Sequence, residues 1–241
     1  MRSPIGETPR CFISHAWCDE GHAFALEIRK YLSQQGVSSW IDERSIVAGE
    51  HLDSEIRHGV LRECNVFLAI LSAGWVNSTP CQEELALALE RRDGDGVQII
   101  PILRETLPEP PKDVEGLLYI DWRDDSRVRE CVDKLIKAIT SAFFVYSMAS
   151  RLLAGARHER QQAAQHVATL ASPFLSPVLI RQLEKEVDPT TRYWLAIAIG
   201  KTDGRDGASA LEQALACEMN AYVRSGIREA LRMKGHLERE G

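Results

Sequence analysis

The sequence predicts an α/β fold, a flavodoxin-like five-stranded parallel sheet, followed by a small all-α domain of helical repeats. Three observations carry this expectation. Strand-like runs alternate with helix-type periodicity from Arg10 to Phe144. The runs Asn65–Leu71 and Val97–Leu103 are almost wholly apolar, as strands covered on both faces must be. Beyond about Ser150 the strand signals stop, and residues of one type recur every 32 positions.

Arg10-Cys-Phe-Ile-Ser14 forms the first strand and ends in the polar loop His15–Asp19. A helix is expected from Glu20 to Gln35, with Phe24, Ile28, Tyr31 and Leu32 at helical spacing and Gly36 as its stop. Val37–Ile41 is the second strand, followed by the charged loop Asp42–Glu50 and a helix from His51 to Arg62. After the third strand, Asn65–Leu71, comes the best-marked helix, Ser78 to Leu89. Ser78 or Thr79 can cap it, Pro80 suits its first turn, and Leu85, Ala88 and Leu89 share an apolar side. Glu83 and Glu84 are expected in its positively polarised first turn, where an acidic residue needs no further role. Glu84, immediately before Leu85, can also lean over the sheet edge into a cleft. Strands at Val97–Leu103 and Gly116–Asp121 and a helix from Ser126 to Phe144 complete the first domain, placed at 8–145. Ligands of such sheets bind beyond the carboxyl ends of the strands, so the loops starting at His15, Asp42 and Ser72 should converge.

The second domain is placed at 150–241. Arg160, Arg192 and Arg224 align at the 32-residue period, each followed seven residues later by Val167, Ile199 or Leu231; Leu179 and Leu183 recur as Leu211 and Leu215. Stacked helix-turn-helix units of this length form an α-solenoid, and the arginines are read as bonding to neighbouring repeat turns.

Composition narrows the function. The chain has 241 residues and a net charge of −6, which argues against a nucleic-acid partner. The charge is uneven: 16 basic and 24 acidic residues lie up to Ser141, and 13 and 11 after it. No run of eighteen apolar residues reads as a membrane span, and the first residues lack the apolar core of a signal peptide. Six cysteines without C-x-x-C spacing suit reduced thiols in a cytoplasm. Cys11, His15, Cys18 and His22 could suggest a metal site. Cys11 belongs in a buried strand pointing away from the loop, however, so no metal is expected.

Phe12-Ile-Ser-His15, Trp40-Ile-Asp-Glu43 with Gly49 after it, Ser72 leading to Cys81-Gln-Glu-Glu-Leu85, and Tyr119-Ile-Asp-Trp122 occur in an order that resembles a Toll/interleukin-receptor (TIR) domain. The tail resembles short bacterial HEAT-type repeats. The first resemblance implies either of two functions, an enzyme that cleaves NAD+ at the nicotinamide–ribose bond or a non-catalytic adaptor or virulence protein that only assembles. In the enzymatic branch it implies that Glu84 is the catalytic carboxylate and that Trp40 stacks on the nicotinamide side. His15 and Trp17 would meet the rest of the dinucleotide, and Asp42 and Arg44 would belong to the same binding set. The family commonly has Trp before the motif cysteine; Pro80 stands there in this chain, and Trp75 is expected to fill the space and to belong to the substrate-binding set. With no Gly-rich cradle, the pyrophosphate would rely on Arg44, a helix N-terminus or a second protomer. NAD+ would be substrate, with no cofactor. TIR–TIR association would run through the 42–50 loop, and a protein or small-molecule trigger would act on the repeats in an immune or signalling system of bacterial type.

Overall fold

The computed structural model describes residues 8–41, 54–107, 111–171, 175–202 and 206–235. These described residues cluster into two compact units, those within 8–92 and 97–144, and those within 93–96 and 145–235.

In the first unit, β1 (Arg10–Ser14), β2 (Ser38–Ile41), β3 (Val66–Leu71), β4 (Gln98–Leu103) and β5 (Ile120–Asp121) form one parallel sheet in the order β2-β1-β3-β4-β5. The order reverses between β1 and β3, where Cys11 to Ser14 run in register with Val66 to Ala69. Side chains alternate across each strand. Cys11, Ile13, Val66, Leu68, Ile70 and Ile102 therefore share one face. They pack with Phe24, Ile28 and Leu32 of α1 (Asp19–Gln34) and with Cys131, Leu135 and Ile139 of α5 (Val128–Ala154). The opposite face carries Phe12 and Phe67, stacked with centroids 5.7 Å apart. The remaining long helices of this unit, α2 (Ser54–Glu63) and α4 (Thr79–Asp95), are tied to each other by Arg91, which donates to the Leu61 and Cys64 carbonyls.

Local sequence explains the element ends. The Cys18 sulfur accepts from the Gly21 amide at the start of α1, and Gly36, with φ 71°, ends the turn beyond it. A four-residue helix, α3 (Ala73–Val76), follows β3; it is too short to leave a periodic signal, and Ser72 caps it by accepting from the Trp75 amide at 3.1 Å. The Ser78 hydroxyl accepts from the Cys81 amide at the start of α4. Because α4 begins at Thr79, Glu83 and Glu84 lie in its second turn, not in the first as the capping pattern suggested. The last strand is shorter than expected, since only Ile120 and Asp121 pair with β4 and Leu118 is exposed. The closing helix is longer: α5 starts at Val128 and runs to Ala154, because no glycine or proline interrupts it before Gly155. Met148, Ala149 and Leu152 at its end join the core of the second unit.

That unit adds α6 (Arg157–Leu170), α7 (Ser176–Lys185), α8 (Pro189–Lys201), α9 (Asp206–Cys217) and α10 (Ala221–Met233). Asp188 and Asn220 cap α8 and α10 through the amides of Thr191 and of Tyr222 and Val223. The repeated apolar positions Val167, Ile199 and Leu231 are all buried. The repeated arginines form a ladder. Arg160 pairs with Glu186 and Arg192 with Glu218, while Arg192 also donates to the Leu183 and Glu186 carbonyls and Arg224 to those of Leu215 and Glu218.

Candidate active site

The carboxyl ends of β1 and β3 gather a compact polar cluster. Ser14 ends β1 on the same face as Phe12. Trp75 comes from α3, and Glu84 from the second turn of α4. The Ser14 hydroxyl donates to Glu84 Oε2 at 2.6 Å, and Trp75 Nε1 donates to the Ser14 oxygen at 2.9 Å. Solvent barely reaches the three: Ser14 is 1% exposed, Trp75 0% and Glu84 4%. Glu83, one residue earlier, is exposed. The helical step of about 100° per residue turns one glutamate outward and the other onto the end of β1.

His15 follows Ser14 and is buried. Its carbonyl accepts from the Cys81 thiol at 3.3 Å, which fastens α4 to the end of β1 a second time. His15 Nε2 and His22 Nδ1 share a hydrogen bond at 3.1 Å, and the half-buried Trp17 stacks on His22 with centroids 4.8 Å apart. Ser14, His15, Trp75 and Glu84 are thus brought together, with Trp17 and His22 at one side. Cys11 lies in the core on the other sheet face, and burial, helped by neighbouring Cys64, pushes its thiol well above the usual range.

Trp40 stands apart from this group. One residue before the end of β2, it is half-buried, its ring centroid is 5.0 Å from that of Phe12, and it lines a small cavity with Cys11, Val60, Glu63 and Cys64. Burial pushes the Cys64 thiol up to about 11, so this cavity holds a thiol and not a thiolate. Asp42, Arg44 and the rest of the 42–50 loop lie outside the described residues.

Sequence reasoning gave no role to Ser14, Cys81 or His22. The signal for Ser14 is a polar residue closing a buried apolar strand on the side facing α4. A second cleft of about 700 Å³ opens along the same sheet edge near β4 and β5, lined by Glu20, Phe24, Glu27, Arg104, Arg123 and Asp125. Its arginines are already engaged. Arg104 pairs in bidentate fashion with Asp125 over the Phe24 ring, and Arg123 pairs with Asp121.

Comparison with known proteins bears on this geometry. The family model described as the TIR domain matches residues 11–136, more than half of the chain. The chain belongs to the TIR-domain family. A curated relative, a probable 2′ cyclic ADP-D-ribose synthase of Brachypodium distachyon, is 33% identical over 97 residues, covering 40% of this chain and 41% of that protein. The chain therefore matches about two fifths of that relative's length. Among solved structures, the TIR domain of the Toll-related receptor TRR-2 of Hydra magnipapillata aligns with a TM-score of 0.43 at 20% identity, over 54% of this chain and 97% of that one. No helix among the described residues of this TIR protein is long and apolar enough to cross a membrane.

Proposed function

We propose that this TIR protein cleaves NAD+ at the nicotinamide–ribose bond, with Glu84 as the catalytic carboxylate. The observation that carries the reading is a buried, hydrogen-bonded carboxylate at the point where the strand order reverses, the place where α/β sheets bind ligands. The relative whose name records cyclic ADP-D-ribose synthesis supports the same reading.

The chemistry asks little of the protein. Nicotinamide leaves a cationic pyridinium as a neutral base and needs no acid. The developing oxocarbenium ion needs a nearby carboxylate as electrostatic partner, nucleophile or base. One glutamate is enough, in contrast to the paired carboxylates of ordinary glycosidases. In this proposal Trp40 offers a face to the cationic ring, and His15 and Trp17 border the rest of the dinucleotide. Asp42 and Arg44 complete the set, TIR–TIR association runs through the 42–50 loop, and the helical region from about residue 150 is a HEAT-like array that receives a trigger.

The test is nicotinamide release by the purified full chain at millimolar NAD+, with the products separated into ADP-ribose and its cyclised form. Glu84→Gln keeps size and hydrogen bonding but removes the charge; it should abolish release with the melting temperature retained, whereas Glu83→Gln should do neither. Wild-type turnover in Glu84→Gln would refute the assignment. A wild-type chain inert at every concentration would point to the adaptor function instead.

A further inference from the structure

We infer that Ser14 and Trp75 are positioning residues that hold Glu84 through a one-way hydrogen-bond relay from indole to hydroxyl to carboxylate. The inference rests on the proposed reaction for its kinetic consequence, but the relay stands on geometry.

The direction of its first step is fixed by chemistry. An indole N–H can only donate, so at 2.9 Å the Ser14 oxygen must accept from Trp75. A serine hydroxyl has one proton, and Ser14 directs it to Glu84 Oε2 at 2.6 Å, in the range of an O–H donating to an ionised oxygen. The proposed reaction needs Glu84 ionised, and an ionised carboxylate only accepts, so in the working enzyme the second step runs from Ser14 to Glu84. Accepting the indole proton polarises the Ser14 hydroxyl and strengthens its own donation, and the near absence of solvent around all three residues enhances both bonds.

The relay is itself anchored. Ser14 is fixed by the pairing of β1 with β3. Trp75 is fixed at its backbone, since its amide donates to the Ser72 hydroxyl and its carbonyl accepts from Gln82 Nε2 at 3.1 Å. Gln82 is two residues before Glu84, so α3 and α4 are tied together next to the carboxylate they present. A carboxylate on a flexible two-carbon stem would otherwise sample several rotamers, and misplacement by about 1 Å can cost two orders of magnitude in rate.

Two arms test the inference on the full chain. The first is kinetic. Ser14→Ala should lower kcat for nicotinamide release by about one to two orders of magnitude, with KM for NAD+ little changed, and Ser14→Thr, which keeps the hydroxyl, should recover most of the rate. Trp75→Phe keeps a ring and removes the N–H, so it should lower kcat by less. Because Trp75 acts through Ser14, the double variant Ser14→Ala/Trp75→Phe should be no slower than Ser14→Ala alone, whereas two independent packing defects would multiply. The second arm needs no turnover. The indole ¹H–¹⁵N resonance assigned by its loss in Trp75→Phe should shift in Glu84→Gln, and that response should vanish when Ser14→Ala is also present. An unmoved indole resonance in Glu84→Gln, or wild-type kcat in Ser14→Ala, would overturn the relay. A wild-type chain that releases no nicotinamide while its indole responds as expected would retire the proposed reaction and leave the relay standing.

Discussion

Glu83 and Glu84 are the same amino acid one peptide bond apart, yet one is exposed and the other is buried and bonded to Ser14. The spacing of Leu85 and Ala88 made that difference legible, because it sets which side of α4 faces the sheet. The partner of Glu84 was not legible, because a hydrogen bond spanning 70 residues leaves no trace in local pattern. Trp40 poses the opposite problem. Its place before Ile41 suggested a strand-end platform, and its ring is half-buried against Phe12. The two roles separate in substitution. As a platform, Trp40→Leu should weaken NAD+ capture by about 1–2 kcal/mol, read as a higher KM, while Trp40→Phe holds KM near wild type. Equal losses of capture and of unfolding free energy across both variants would mark Trp40 as a packing residue alone.

At the scale of elements, the 32-residue period was the clearest signal in the second half of the chain, and the arginine ladder gives its physical basis. The Glu186, Asp188 and Glu218 side chains are nearly buried, and each receives several donors. Burial is the largest single influence on each and pushes it up. Hydrogen bonds from Arg160 and the Asp188 amide to Glu186, from Gln161 and Thr191 to Asp188, and from the Asn220 amide and Arg192 to Glu218 outweigh it together and hold all three below the usual carboxylate range. Carboxylates depressed in the folded state contribute stability that is present above their unfolded values, about 4, and lost as pH falls through the folded ones. Thermal melts of the full chain should therefore fall progressively below about pH 5, and Glu186→Gln should flatten that acid dependence while lowering stability at neutral pH. An acid slope unchanged in Glu186→Gln would exclude the ladder as its cause. A close helix crossing gives a second test. A Cβ on Gly200 would lie 2.7 Å from the Ala230 Cα. Alanine in a helix is ordinarily worth up to about 1 kcal/mol over glycine, but here Gly200→Ala must push α8 from α10 and should destabilise by about 1–3 kcal/mol, measured by urea unfolding. The extension of α5 past Phe144 was legible only in principle: apolar residues continue through Met148 and Leu152, and the next breaker is Gly155.

For the whole molecule, the order of the strands and the matching motifs made the fold and the TIR family readable, since alternating patterns and strand-end motifs are local in sequence. The completeness of the site is not local. Among the described residues at the ends of β1 and β3, Ser14, His15, His22, Trp75, Cys81 and Glu84 supply a carboxylate, imidazoles and an indole. NAD+ carries a pyrophosphate whose charge needs cations or amides, and the acidic excess up to Ser141 makes the surroundings less favourable to it. In the proposed function those groups come from the 42–50 loop and from a second copy, so the working enzyme is an assembly and a lone chain is nearly idle. The initial rate of nicotinamide release per chain should then rise with protein concentration. Fusing a trimeric coiled coil to the full chain, which raises local concentration to about millimolar, should restore the high rate at dilutions where the untagged chain is slow. Gly49→Trp should lower the rate of the tagged protein without changing its oligomeric state by light scattering. A rate per chain that stays constant across the dilution series and is indifferent to the coiled coil would mean that one chain builds the whole site, and the phosphate-binding groups would then have to be sought within the same molecule.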